Sequence, residues 1–125
     1  MISILSVALG GALGAVLRFL ISKIAILNSH DIPWMTFTAN MVGALIIGFI
    51  AGAVFRHVQF KPATLSFLKT GFCGGLTTFS TFSLESFELI QHGKYLAAGC
   101  YLGFSVILCL FGVFVGRAVA IKCFE

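Results

Sequence analysis

Apolar residues run along the chain in four long stretches, roughly Ile2–Ile26, Pro33–Phe55, Thr64–Ile90 and Tyr95–Ala120. A membrane-crossing helix needs about 20 such residues, and each stretch is long enough. The segments between them, Leu27–Ile32, Arg56–Ala63 and Gln91–Lys94, and the tail Ile121–Glu125, are too short to fold alone. Connections of that length join neighbouring antiparallel helices. The pattern therefore predicts an all-α membrane protein of four transmembrane helices, a single domain over residues 1–125, with both termini on one side.

Composition agrees: 59% of the residues are hydrophobic and 10% charged, against about 25% charged in a soluble domain. So little charge cannot coat a globule. No basic residue precedes the first stretch, whose apolar run exceeds that of a secretory leader, so it is expected to be retained.

The net charge of +4 comes from singly scattered residues rather than a cluster, which speaks for lipid headgroups and against nucleic acid. Arg56, Lys61, Lys69, Arg117 and Lys122 fall toward the terminal side, and Arg18, Lys23 and Lys94 toward the other. An excess of Lys and Arg on one side normally fixes orientation, so a bias this weak permits either insertion direction. Cys73, Cys100, Cys109 and Cys123 show no CxxC spacing and read as small apolar residues. His30, His57 and His92 fall in loops, which argues against haem held between helices. No nucleophile, base and orienting residue fall together, so the chain is not expected to be an enzyme.

Within the stretches, small residues recur at close-packing spacing: Gly10, Gly11, Gly14 and Ala15; then Ala44, Gly48 and Gly52; then Gly99, Gly103, Gly112 and Gly116. The third stretch differs. There, Gly74 and Gly75 are followed by the hydroxyls of Thr77, Thr78, Ser80 and Thr81 at mid-depth. Glycine adds backbone freedom and hydroxyls bond freed backbone groups, so this run predicts an unwound segment. Non-helical backbone at membrane depth is tolerated where protein buries it or where it lines a cavity. Its freed carbonyls are hard ligands suited to a small cation such as sodium.

Other polar residues lie inside the stretches. Asn40, with Thr36 one turn earlier and Gly43 nearby, either points into a pore or joins two helices. Tyr101, Ser105 and Cys109 recur every four residues and form a polar track on one helical face. Arg18 either reaches the interface or adds positive potential at an anion's entrance. Glu85, one turn past Thr81, is placed to accept hydrogen bonds from Ser80 or Thr81, or with Glu88 marks the approach to water.

Three motifs, Gly11-Ala-Leu-Gly14-Ala-Val-Leu-Arg18, Thr36-Phe-Thr-Ala-Asn40-Met-Val-Gly43 and Gly71-Phe-Cys-Gly-Gly-Leu-Thr-Thr-Phe-Ser-Thr-Phe82, resemble the Fluc/CrcB fluoride channels in order and over essentially the whole chain. The resemblance implies a fluoride-selective channel of the bacterial inner membrane that exports fluoride passively. It implies an antiparallel, dual-topology homodimer with two pores and a third helix broken at the motif. By the same resemblance, Phe79, Phe82 and Asn40 line the pore, Tyr101 and Ser105 form its polar track, and Ser80 and Thr81 join Glu85 in a cluster beside it. A structural sodium ion is implied between backbone carbonyls of Gly74 and Thr77. Cys109 stands where members of the family carry a hydroxyl.

The chemistry is coherent. Fluoride is small and strongly hydrated, so donors must replace its water: amide and hydroxyl groups, and the electropositive edges of aromatic rings. Weak binding at several places lets the ion leave again. Two rivals remain at this stage. A proton-coupled small multidrug exporter would need a buried carboxylate, and the first stretch has none. A non-transporting assembly subunit would explain the packing glycines but not the hydroxyl-rich break.

Overall fold

The computed structural model describes residues 1–24 and 32–125; His30 and most of the expected first connection lie outside the described residues. The described residues form helices joined by short turns, with no strand among them. Helices α1 (Ile2–Ile21), α2 (Trp34–Phe55) and α6 (Tyr95–Cys123) are each long and apolar enough to cross a membrane.

The third apolar stretch is divided. It begins as α3 (Pro62–Leu65), continues as a π-helical segment (Ser66–Cys73) and ends its first half as α4 (Gly74–Leu76). Thr77 and Thr78 are extended, and α5 (Phe79–Gln91) follows. Neither half alone reaches the length of a span, so only three uninterrupted apolar helices are present among the described residues.

Local chemistry sets the boundaries. Pro62 opens α3, where its missing N–H costs nothing. The Thr78 hydroxyl accepts the Thr81 N–H at 3.2 Å and caps α5. Helix α5 stops at Gly93, whose φ of 70° allows Lys94 N–H to reach back to the Leu89 carbonyl. Helix α2 closes with the same hydrogen-bond pattern around His57, which adopts a φ of 61° without being glycine. His57 and His92 thus sit at helix ends.

Two close packings build the molecule. Helices α2 and α6 make the most extensive contact. A Cβ added at Gly48 would lie 2.2 Å from the Val113 carbonyl oxygen, and one at Gly116 2.1 Å from that of Leu45. Helix α1 meets the first half of the divided stretch just as tightly: a Cβ at Gly14 would stand 2.2 Å from the Phe72 carbonyl oxygen. These are the small-residue faces expected from the spacing. Gly99 and Gly103, expected to pack likewise, meet nothing within 4 Å.

The glycine pair does not unwind. Gly74 is helical, at φ −64° and ψ −36°, and the chain opens two residues later at the threonines. Gly75 serves packing instead, because a Cβ there would lie 2.4 Å from the Gly11 carbonyl oxygen. Outward faces carry Leu5, Leu9 and Leu13 on α1 and Phe104, Ile107 and Phe111 on α6, all exposed, as suits contact with lipid.

Candidate functional site

The site is built around the break. Thr77 (φ −84°, ψ 155°) and Thr78 (φ −149°, ψ 120°) interrupt the helical hydrogen bonds, so their neighbours need other partners. Thr77 donates twice to the Cys73 carbonyl, from its backbone N–H at 3.0 Å and from its hydroxyl at 2.8 Å. Asn40 of α2 clasps Thr78: its Oδ1 accepts the Thr78 N–H at 2.7 Å and its Nδ2 donates to the Thr78 carbonyl at 3.2 Å. One amide hydrogen of Asn40 is left over after this pairing. Asn40 therefore joins two elements and also lines the cavity described next.

Among the described residues, no hydrogen bond reaches the carbonyl oxygens of Gly74 or Thr77. The Thr78 hydroxyl gathers its own neighbours, donating to Thr81 Oγ1 at 3.1 Å and pairing with Ser80 Oγ at 3.2 Å. Ser80 and Thr81 thus belong to the cap of α5.

A cavity of about 490 Å³ opens beside the break. Asn40 comes to it from α2, Gly74 from α4, Thr77 from the break, Phe79 and Phe82 from α5, and Ser105 from α6. Ser105 is 5% exposed, and its Oγ is a buried side-chain oxygen without a hydrogen-bond partner. Such a group costs free energy unless something in the cavity completes it. Cys109 lines the cavity one turn further along α6, so the expected track continues there as a thiol.

Tyr101, one turn before Ser105, is 2% exposed and lies behind the cavity wall. Its ring packs on Phe82 with centroids 5.1 Å apart, and Phe82 in turn meets Phe79 at 5.8 Å. The two phenylalanines differ sharply: Phe82 is 7% exposed, whereas Phe79 is 79% exposed. The Tyr101 hydroxyl donates to Glu85 Oε2 at 2.8 Å, and the Thr36 hydroxyl donates to Glu85 Oε1 at 2.8 Å. Glu85 is therefore bound by α2 and α6, not by Ser80 and Thr81, which turn to Thr78 instead.

Arg18 stands on the opposite side of the break. Its Nε donates to the Gly75 carbonyl at 3.1 Å, so it satisfies an oxygen at the end of the first half-helix. It does not line the cavity. Two further lining residues carry chemistry that sequence reasoning left out of the site: Lys69 and Cys73. Lys69 had read as a headgroup charge; its only signal was its place five residues before Gly74.

No group of three or more His, Cys, Asp or Glu side chains able to hold a metal occurs among the described residues. The donors this site offers a cation are backbone oxygens. To an anion it offers N–H, O–H and ring edges.

Comparison with known proteins places this geometry in a family. The model of the CrcB-like protein family, also described as Camphor Resistance (CrcB), matches residues 5–117. A fluoride-specific ion channel FluC of Rhizobium etli is 42% identical over 120 residues, 95% of this chain and 96% of its own length. Fluoride-specific ion channel FluC 1 of Nitrobacter hamburgensis is 44% identical over 114 residues, 90% of each chain. The FluC channel of Methanococcus maripaludis is 44% identical over 115 residues, 91% of this chain and 92% of its own. These relatives are ion channels by name, not enzymes, in keeping with the absence of catalytic chemistry expected from the sequence. Matched over nearly its whole length by the family model and by these relatives, the chain belongs to the CrcB family.

Proposed function

We propose that the chain is a fluoride-selective channel of the bacterial inner membrane that lets fluoride leave the cell passively. The observation that carries this reading is the unpartnered hydroxyl of Ser105, buried in a cavity shared with the Asn40 amide and the Phe82 ring. A small, strongly hydrated acceptor anion completes such donors, and the relatives named fluoride-specific channels supply the identity of the anion. Phe79 and Phe82 present ring edges, Asn40 its remaining amide hydrogen and Ser105 its hydroxyl, while the Tyr101 hydroxyl, expected in the same track, is spent on Glu85. Each interaction is weak, which conduction requires.

The divided stretch counts as the fourth crossing in this reading, with its break at mid-membrane. One copy is not enough. Phe79 is 79% exposed beside an open cavity, and a broken helix at membrane depth must be covered by protein. A second copy, inserted in the opposite direction as the weak charge bias permits, covers it and makes an antiparallel homodimer with two pores.

Sodium fits the same arrangement. The Gly74 and Thr77 carbonyl oxygens are hard donors without hydrogen-bond partners, and a Cβ at Gly74 would meet nothing within 4 Å, so the surface there is open. Two oxygens are too few to hold a hard cation alone. The two-fold partner doubles them, and a structural sodium at the dimer centre would neutralise the converging carbonyl dipoles.

The test is fluoride efflux from liposomes containing the purified protein, read with a fluoride electrode, with chloride efflux alongside. Rapid fluoride loss with negligible chloride loss is the expected result. Folded, dimeric protein that releases no fluoride would sink the channel reading.

A further inference from the structure

Lys69 is a cation within the divided stretch, in the π-helical segment Ser66–Cys73, and it lines the same cavity as Asn40 and Ser105. Among the described residues it makes no ion pair and no hydrogen bond. The described acids do not compensate it: neither Glu85, Glu88 nor Glu125 lines the cavity, and Glu85 is held by Thr36 and Tyr101. Lys69 is the single charged lining residue among those described.

A cation inside a membrane span is costly and persists where it faces a partner or a water-filled path. Segments of π-helix recur at functional sites, because the wider turn re-aims side chains that a regular helix would send elsewhere. Here Lys69 and Cys73, four residues apart, both reach the cavity. Lys69 precedes Gly74 by five residues, about 7 Å of helical rise. That places the charge on the approach to the break, not among the groups that close around the ion.

We propose that Lys69 is the anion-attracting charge of this cavity, a residue that raises the local concentration of a small hard halide ahead of the Asn40, Phe82 and Ser105 contacts. A single positive charge in a low-dielectric cleft focuses the field on anions and speeds their capture. Its influence is graded by salt, since the screening length falls from about 10 Å at 0.1 M to about 3 Å at 1 M ionic strength.

The proposal rests on the fluoride-channel reading, and the experiment separates the two. Fluoride efflux from liposomes is measured for the wild-type protein, Lys69→Gln, Lys69→Met and Lys69→Arg. Fluoride is held below saturation and sodium constant, while ionic strength is raised with an impermeant organic salt. At low ionic strength Lys69→Gln and Lys69→Met lose roughly tenfold in rate. The loss shrinks to about twofold or less near 1 M salt, and Lys69→Arg keeps the wild-type profile. Size-exclusion chromatography establishes that each variant is folded and dimeric, and either neutral variant suffices if the other misfolds.

Equal rates for wild-type and neutral variants would overturn the proposal while leaving the channel reading intact. So would a loss that ignores ionic strength, which would mean that the side chain acts by shape and packing and not by its charge. A weaker dimer with an unchanged rate per dimer would also overturn it, by assigning the charge to assembly. Absence of fluoride efflux from the wild-type protein would sink the channel reading itself.

Discussion

Between Pro62 and Leu76 the divided stretch is held by its backbone, which lies directly on that of α1; between Phe79 and Gln91 it is held by side chains. In the first half, glycines on both partners let carbonyl oxygens approach where any Cβ would stand, at Gly10, Gly14 and Gly75. Polar side chains add only Arg18 at the end. In the second half, Thr78 caps the helix and Glu85 receives one hydroxyl from α2 and one from α6. Shape fixes the half that carries Gly74 and leads into Thr77, the two residues of the proposed sodium oxygens. Hydrogen bonds fix the half that carries the phenylalanines, whose surroundings can be tuned one donor at a time.

The sharpest way to break this contrast is Gly14→Leu. A side chain there begins 2.2 Å from the Phe72 carbonyl oxygen, and backbone cannot yield as a rotamer can. Overpacking of this kind costs about 3 kcal/mol, the upper end of its usual range, and little monodisperse protein should survive size-exclusion chromatography in detergent. Recovery of stable protein would mean that α1 does not hold the first half by contact.

Phe82→Ile acts on function next. The variant should form the dimer normally yet pass fluoride about tenfold more slowly, equivalent to about 1.4 kcal/mol and near the top of what an aromatic edge contributes. Unchanged efflux would remove the ring edge from the pathway. Thr78→Val keeps a β-branched residue in the extended conformation but deletes the cap, so it should lower detergent-unfolding stability by about 1 kcal/mol. Thr36→Val removes one of the two Glu85 donors and should cost only about 0.6 kcal/mol in the same assay. If Thr36→Val proved more damaging than Gly14→Leu, the two halves would have to exchange descriptions.

How far the sequence reaches depends on whether a feature is local. The helices, the packing faces of α1, α2 and α6, and a break in the third stretch all follow from periodicity and composition within a few residues of each position. The exact place of the break does not. Gly74 and Gly75 look like the weak point, yet both stay helical, Gly75 because α1 needs it bare for close approach, and the chain opens at Thr77 and Thr78 instead. The π-helical turn leaves no mark either, since α- and π-helices draw on the same residues. The partners of Glu85 were hidden by distance: Thr36 is 49 residues away in sequence and Tyr101 is 16. Ser80 and Thr81, close in the chain, face Thr78 instead.

Helices α1 and α6 also differ in reach. Helix α1 has 20 residues, about 30 Å at 1.5 Å each, which matches a hydrocarbon core of about 30 Å without leaning. Helix α6 has 29 residues, about 43 Å by the same rise. It must tilt or emerge, and Lys122 in its last turn is suited to headgroups. Because α6 is zipped to α2 through Gly48 and Gly116, any tilt that a host bilayer imposes on α6 is shared with α2. Bilayer thickness thereby becomes a lever on the α6 wall of the cavity, where Ser105 and Cys109 stand.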